Sequence, residues 1–452
     1  MLSGQGQSQP KVAKRNQVIL AALALLATSL ACSFSLPFST SRMPGIPTSA
    51  APLGLIAYVG KDGNIYTTDR NGKQQHAITQ DAALHPSAGQ AGRLYQYLTW
   101  APDGQHLAFV RVSLSQSGQE VSILSARSDG KQPVNDFTSQ DFQPFYLSWS
   151  PNSQTIAFLG SDATTGALGQ YLVPASGGES KFISGGQPYY WDWSPDNRTM
   201  IVHVGGASSE NPDARLTFIG VDSSVPGKDL DIKPGFFDAP AWSPAGDRVA
   251  VAAQNDAGDE ELILAGQDGK VKQVLASLSG PVTFAWSPKG AHLAFAVYDP
   301  TGPAPTIRLV VLDSAHPDLQ TQIAQGDVAA FFWSPDGQKI AYFILGSGGP
   351  SASSLQTVAQ TNPSADLIVW VYDRVSGTTK QVATFTPTDS FQQIFPFYSQ
   401  YQRSDTIWSP DSQELVLPGV DSSGENAIYT VEADGSHFQK IADGDLAFWS
   451  WK

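Results

Sequence analysis

Trp333-Ser334-Pro335-Asp336-Gly337-Gln338-Lys339-Ile340-Ala341-Tyr342-Phe343 carries the architecture of the whole chain. Proline at the second turn position fixes φ, the aspartate side chain caps the turn, and glycine accepts the left-handed conformation that follows. The residues from Lys339 to Phe343 then read as a strand with apolar groups on both faces, as a sheet sandwiched between neighbours requires. The same turn begins at Trp100-Ala101-Pro102-Asp103-Gly104, Trp149-Ser150-Pro151, Trp193-Ser194-Pro195-Asp196, Trp242-Ser243-Pro244, Trp286-Ser287-Pro288 and Trp408-Ser409-Pro410-Asp411. Strands such as His106-Leu107-Ala108-Phe109-Val110 and Thr155-Ile156-Ala157-Phe158-Leu159 follow it.

The gaps between these tryptophans are 49, 44, 49, 44, 47 and 75 residues. A period in the forties is that of one four-stranded blade of a β-propeller. Third strands recur downstream, among them Ile65-Tyr66-Thr67, Leu262-Ile263-Leu264 and Ile428-Tyr429-Thr430-Val431, each before a turn such as Asn71-Gly72, Asp268-Gly269 or Asp434-Gly435. A more polar fourth strand, as in Val271-Lys272-Gln273-Val274-Leu275, closes each unit. Residues 54–79 hold the second to fourth strands of a unit without its first. The chain ends in Leu446-Ala447-Phe448-Trp449-Ser450-Trp451, which supplies it. Pairing the two ends closes the ring and removes open sheet edges. An all-β propeller of eight four-stranded blades is therefore expected over residues 53–452.

The repeat resembles that of the TolB family, W-S-P-D-G followed by an I-A-F-like strand, and is related to the N-terminal propellers of prolyl-oligopeptidase-like and dipeptidyl-peptidase-like enzymes. The resemblance covers nearly everything from 54 to 452. It implies protein association and names no partner, since the motif residues are structural.

Ahead of the repeats, Lys11, Lys14 and Arg15 precede an apolar run from Val18 to Ala31, the parts of a secretory signal over residues 1–32. Its end, Ser29-Leu30-Ala31-Cys32, resembles the lipobox of bacterial lipoproteins, departing from it at Ser29, where that family has leucine. Cys32 is the single cysteine, so no internal disulfide competes for it. Residues 33–52, rich in serine and proline, read as a flexible tether. An exported protein on the outer face of the cytoplasmic membrane or in the cell envelope, anchored by a lipid on Cys32, is the expectation.

With 41 acidic against 27 basic residues and a net charge of −14, the chain lacks the basic surface that nucleic acid demands. No G-x-S-x-G nucleophile elbow is present, and no length remains for a hydrolase domain. The seven histidines follow no H-E-x-x-H spacing. Closely spaced oxygen-bearing side chains at Asn255, Asp256, Asp259, Glu260 and Glu261, and at Asp421, Glu425 and Asn426, do not match an EF-hand. No catalytic residue, metal or cofactor is assigned.

Insertions at 347–366 and 386–405 account for the gap of 75 and enter one face, that of the second-to-third and inter-blade loops. The second insertion carries Phe391, Phe395, Phe397, Tyr398 and Tyr401. Inter-blade segments add Tyr95, Phe145 and Tyr146, then Tyr189, Tyr190 and Trp191, then Phe236 and Phe237. Together they predict an aromatic rim at the channel mouth, suited to anchoring a protein or peptide partner. A non-catalytic interaction module is the function expected. A carbohydrate-binding or carbohydrate-active propeller is the alternative, with a polysaccharide stacked on the rim and Asp238, Asp405 or Asp445 near the mouth.

Overall fold

In a computed structural model, which describes residues 54–86, 91–116, 118–222, 227–301, 303–346 and 366–452, the repeats build antiparallel sheets. The signal segment, the tether, Cys32 and residues 347–365 of the first insertion lie outside the described residues. In the unit that begins at Val328–Trp333, Phe331 pairs with Tyr342, Tyr342 with Trp370 and Trp370 with Gln381, giving four strands in sequence order. Ile340, Ala341, Tyr342 and Phe343 are all buried, so this strand has no solvent face. That is the structural counterpart of its unbroken apolar run. The fourth strand, as in Val271–Ser277, is largely exposed.

Six sheets follow one another along the chain, over residues 92–139, 142–185, 189–229, 233–277, 282–326 and 328–385. The seventh has six strands and joins the two chain ends. Its order is Glu414–Val420, Asn426–Glu432, Gln439–Trp449, Ile56–Gly60, Ile65–Thr68 and His76–Ala77. The expected count of eight blades is thereby corrected to seven sheets. Gln439–Trp449 runs without a break: its first half pairs with Asn426–Glu432, as in Ile428 with Ala442, and its second with Ile56–Gly60, as in Ala57 with Phe448. Two repeats that the sequence separates thus share one strand and one sheet. The Trp408 segment, which should have opened a sheet of its own, contributes a single bridge to Leu415.

The repeated turn is held as its chemistry predicts. Ser334 Oγ donates to Asp336 Oδ1 at 2.5 Å and accepts from the Lys339 amide at 2.9 Å, while Asp336 Oδ1 takes the Gln338 amide at 2.9 Å. Gly337 stands at φ 68°, where a side chain is unfavourable. Three turns put another residue in this left-handed position, Ser153, Asn197 and Ser412. Each reaches the preceding turn: Ser153 Oγ accepts from the Asp103 amide (3.0 Å), Asn197 Oδ1 from Asn152 (2.7 Å) and Ser412 Oγ from Asp336 (3.0 Å). The backbone strain of a non-glycine residue is offset there by a bond that stitches one sheet to the next.

Four of the seven motif tryptophans make the second set of links between sheets. Trp408 Nε1 donates to Phe332 O at 3.0 Å, Trp333 to Ala285 O, Trp286 to Ala241 O and Trp100 to Phe448 O, each at 3.1 Å. Each indole thereby reaches the first-strand region of the repeat before it.

Candidate functional site

The aromatic-rich insertion folds inward. Thr388 caps a single helical turn, Asp389–Gln392, by accepting the Phe391 amide at 3.2 Å. A 3-10 turn, Phe395–Phe397, and a second helical turn, Tyr398–Tyr401, follow. This plug touches every sheet. Thr388 Oγ1 donates to Asp445 O at 2.5 Å, and the Trp449 amide donates to Thr406 O at 3.0 Å. Thr99 Oγ1 donates to Ser404 O at 3.0 Å, Tyr401 OH to Phe145 O at 3.4 Å, and Arg403 to Phe284 O at 3.2 Å and Ala239 O at 3.5 Å. Tyr398 bonds through its hydroxyl to Thr283 and packs edge-on against Phe331, centroids 5.6 Å apart.

Gln400 is the most heavily bonded plug side chain. Its Oε1 accepts the Trp191 amide at 2.9 Å, and its Nε2 donates to Trp191 O and to Tyr146 OH, both at 3.0 Å. Tyr146 OH in turn donates to the Gln400 carbonyl at 2.9 Å. Since the plug offers no ladder of its own to these strands, one amide side chain satisfies the buried polar groups between them.

The predicted rim residues therefore divide. Tyr95, Tyr146, Tyr189, Trp191, Phe391, Phe395 and Tyr398 are buried. Phe145, Tyr190, Phe236, Phe237 and Tyr401 are half-buried, and Phe397 is 48% exposed. Tyr189, Trp191 and Phe391 belong to the packed core, Phe391 lying 5.2 Å from Phe395. Tyr95, Phe145, Tyr146, Tyr190, Phe397 and Tyr401 come together around a cavity of about 470 Å³ between the plug and strands of four sheets. Phe236, Phe237, Phe395 and Tyr398 face a smaller one, about 250 Å³, beside Asp238.

Three carboxyls are buried around the plug, and its Arg403 stands among them. Burial pushes Asp405 up to about 8, Asp238 to about 7 and Asp192 to about 6, the last two restrained by Arg403. Asp405 Oδ2 accepts Ser404 Oγ at 2.7 Å, and hydrogen bonding from Ser404 and Thr99 opposes the rise. Asp445, also raised by burial, is satisfied: Ser390 donates to one oxygen and Asn426 Nδ2 to the other at 2.9 Å. Asp238 accepts the Phe284 amide at 3.2 Å.

Sequence reasoning missed Gln400, Arg403, Tyr97 and Asp192. Asp192 carried a signal, a lone acid inside the strand Tyr189–Trp193. Tyr97 sits at φ 52° in an irregularity between Gln96 and Thr99 that no turn residue marks. The acidic loops close on themselves: Asn255 Nδ2 reaches Glu261 at 3.0 Å, and Asp421 takes Ser423 and Lys440.

The three raised carboxyls set a pH dependence. With folded values near 6, 7 and 8 against an ordinary 3.8, the folded chain holds protons that the unfolded chain releases between about pH 4 and 8. Stability consequently falls as pH rises through that window, by up to about 1.4 kcal/mol per pH unit for each proton. Urea midpoints measured from pH 5 to 9 should decline, and Asp405→Asn should flatten the decline above pH 6. A level wild-type midpoint would mean that water reaches these carboxyls.

No protein-family model matches the chain, and no curated protein matches it in sequence. Solved structures do. A eukaryotic initiation factor aligns over 88% of this chain and 98% of its own, at 12% identity and a TM-score of 0.50. The fold is a β-propeller. A prolyl endopeptidase aligns at 11% identity and a TM-score of 0.50, over 75% of this chain but 48% of its own, so the propeller corresponds to about half of that enzyme. TolB from Acinetobacter baumannii aligns over 82% of this chain and 87% of its own at 15% identity, with a TM-score of 0.39. The prolyl endopeptidase is a relative in fold of the kind that the W-S-P-D-G repeats lead one to expect.

Proposed function

We propose that this propeller is a non-catalytic interaction module, exported and held at a membrane by a lipid on Cys32, that grips a peptide or exposed protein segment at the mouth of its plugged channel. The observation that carries the reading is the 470 Å³ cavity, walled by aromatic side chains from both the plug and the sheets. Cavities of this size and character suit a few inserted side chains. Rings that are already ordered by packing lose little freedom on binding, which favours affinity. Exposed Phe397 and Gln393 mark where the cavity meets the surface.

Polysaccharide recognition is the second reading, because Asp405 and Asp445 stand among rings that could stack on sugars. A peptide display library and a glycan array probed with the full chain in detergent separate the two. Peptides enriched by the wild type and lost from a Gln393→Arg, Phe397→Glu double variant support the module. Glycan binding with no peptide enrichment would move the assignment to the second reading. Enrichment untouched by the double variant would place the site elsewhere.

A further inference from the structure

The smaller cavity carries negative charge that the fold leaves without a counter-ion. It encloses about 250 Å³, and no lysine, arginine or histidine lines it among the described residues. Two acids do. Asp238 is already answered, by the Phe284 amide, by Ser399 and by Arg403. Glu210 is not: it is exposed, and no hydrogen bond or ion pair engages its carboxylate among the described residues. A tight turn holds it in place, its amide donating to Ala207 O at 3.0 Å. Glu260 stands nearby, its Oε2 accepting the Phe236 amide at 3.0 Å and its Oε1 accepting Gln254 Nε2 at 2.7 Å. Burial raises the Glu260 carboxyl, and the charge of Glu210 raises it further. Two carboxylates within reach of each other repel, and an arriving cation relieves the repulsion.

The wall selects the kind of cation. Phe236 and Phe237 are half-buried, and Phe237 packs against both Tyr190, with centroids 4.5 Å apart, and His203, at 5.0 Å. Pro281 and Pro396 extend the apolar lining. We propose that this cavity is an arginine pocket, in which the guanidinium of one arginine of a bound peptide pairs with Glu210 while its plane and stem lie along Phe236, Phe237 and Tyr190. A guanidinium is planar, stacks on ring faces, is weakly hydrated and donates in a fork that matches a carboxylate. The ammonium of lysine is a strongly hydrated point charge and gains less from such a wall. Calcium takes six to eight oxygen ligands, which rings and prolines do not supply.

The inference rests on the reading of the channel mouth as a peptide site and adds a specificity to it. Tyr190 and Pro396 line both cavities, so the two adjoin. A peptide that seats an apolar side chain in the larger cavity therefore brings a nearby arginine to the smaller one. The size of the smaller cavity suits a single side chain. At longer range, the net charge of −14 favours the approach of basic segments.

Ligand-observed NMR titrations of the full chain in detergent, with benzoyl-arginine amide and its citrulline and lysine counterparts, test the proposal. Citrulline keeps the shape of arginine and loses the charge. The arginine compound should bind at least about 10-fold more tightly than the citrulline compound, the factor that one charge-assisted hydrogen bond supplies. The lysine compound should fall between them. Glu210→Gln should bring arginine binding down to the citrulline level. Glu210 is exposed, so this variant should unfold at the wild-type temperature, and its loss of binding then cannot come from misfolding. Phe236→Leu keeps an apolar wall without the ring face and should erase the preference for arginine over lysine. Equal binding of the arginine and citrulline compounds, or an arginine preference that survives Glu210→Gln, overturns the pocket, as does failure of all three compounds to bind. Lysine binding as tight as arginine in the wild type overturns the choice of a guanidinium. None of these results touches the larger cavity, whose reading stands or falls with the peptides lost from the Gln393→Arg, Phe397→Glu variant.

Discussion

Gln400→Leu should lower the free energy of unfolding by about 3 kcal/mol or more, read as a fall in the urea midpoint at unchanged slope. Leucine keeps much of the volume and removes only the amide. The Trp191 N–H and C=O would then both face the plug with nothing to bond, and Tyr146 OH would lose its donor. Each buried orphan costs about 1 to 3 kcal/mol. Gln400→Glu tests the same geometry differently, since a carboxylate accepts from Trp191 N–H but, when ionised, cannot donate to its carbonyl. It should destabilise more at pH 8 than at pH 5. A leucine variant as stable as the wild type would show that the plug is held by its aromatic residues alone.

Trp408→Ala should cost about 3 to 5 kcal/mol, the range for emptying a large buried aromatic site. The indole is 0% exposed, lies where the plug returns to the sheets, and donates to Phe332 O. Comparison with phenylalanine variants isolates the hydrogen bond. Trp408→Phe leaves Phe332 O short of a donor, whereas the indole N–H of Trp149 has no hydrogen-bond partner to lose. Trp408→Phe should therefore be the more damaging by about 1 kcal/mol. Equal effects in thermal unfolding would mean that packing alone fixes these tryptophans.

How much of the site could be read in advance follows from the range of the forces involved. The aromatic density of 386–405 is conspicuous in the sequence, yet nothing local says whether such a loop faces solvent or folds back. Burial decides that, because Phe391, Phe395 and Tyr398 are covered by packing inside the plug and against strands far away in sequence. Of the three acids named near the mouth, Asp405 and Asp445 line the larger cavity and Asp238 the smaller. Which partners each of them finds was not legible, since Asn426 and Ser390 reach Asp445 only through the closed fold.

The sequence by itself determined the four-stranded unit, its turn and its Trp-to-Trp spacing, because these depend on φ preferences, side-chain capping and alternation within some forty-five residues. Tertiary structure alone decided that two repeats fuse through Gln439–Trp449 into one sheet, and that a loop becomes the plug around which Asp192, Asp238 and Asp405 are buried. Both outcomes depend on closing the chain into a ring. Closure brings residues from seven sheets against one short segment, and only there does it settle which buried polar groups find which partners.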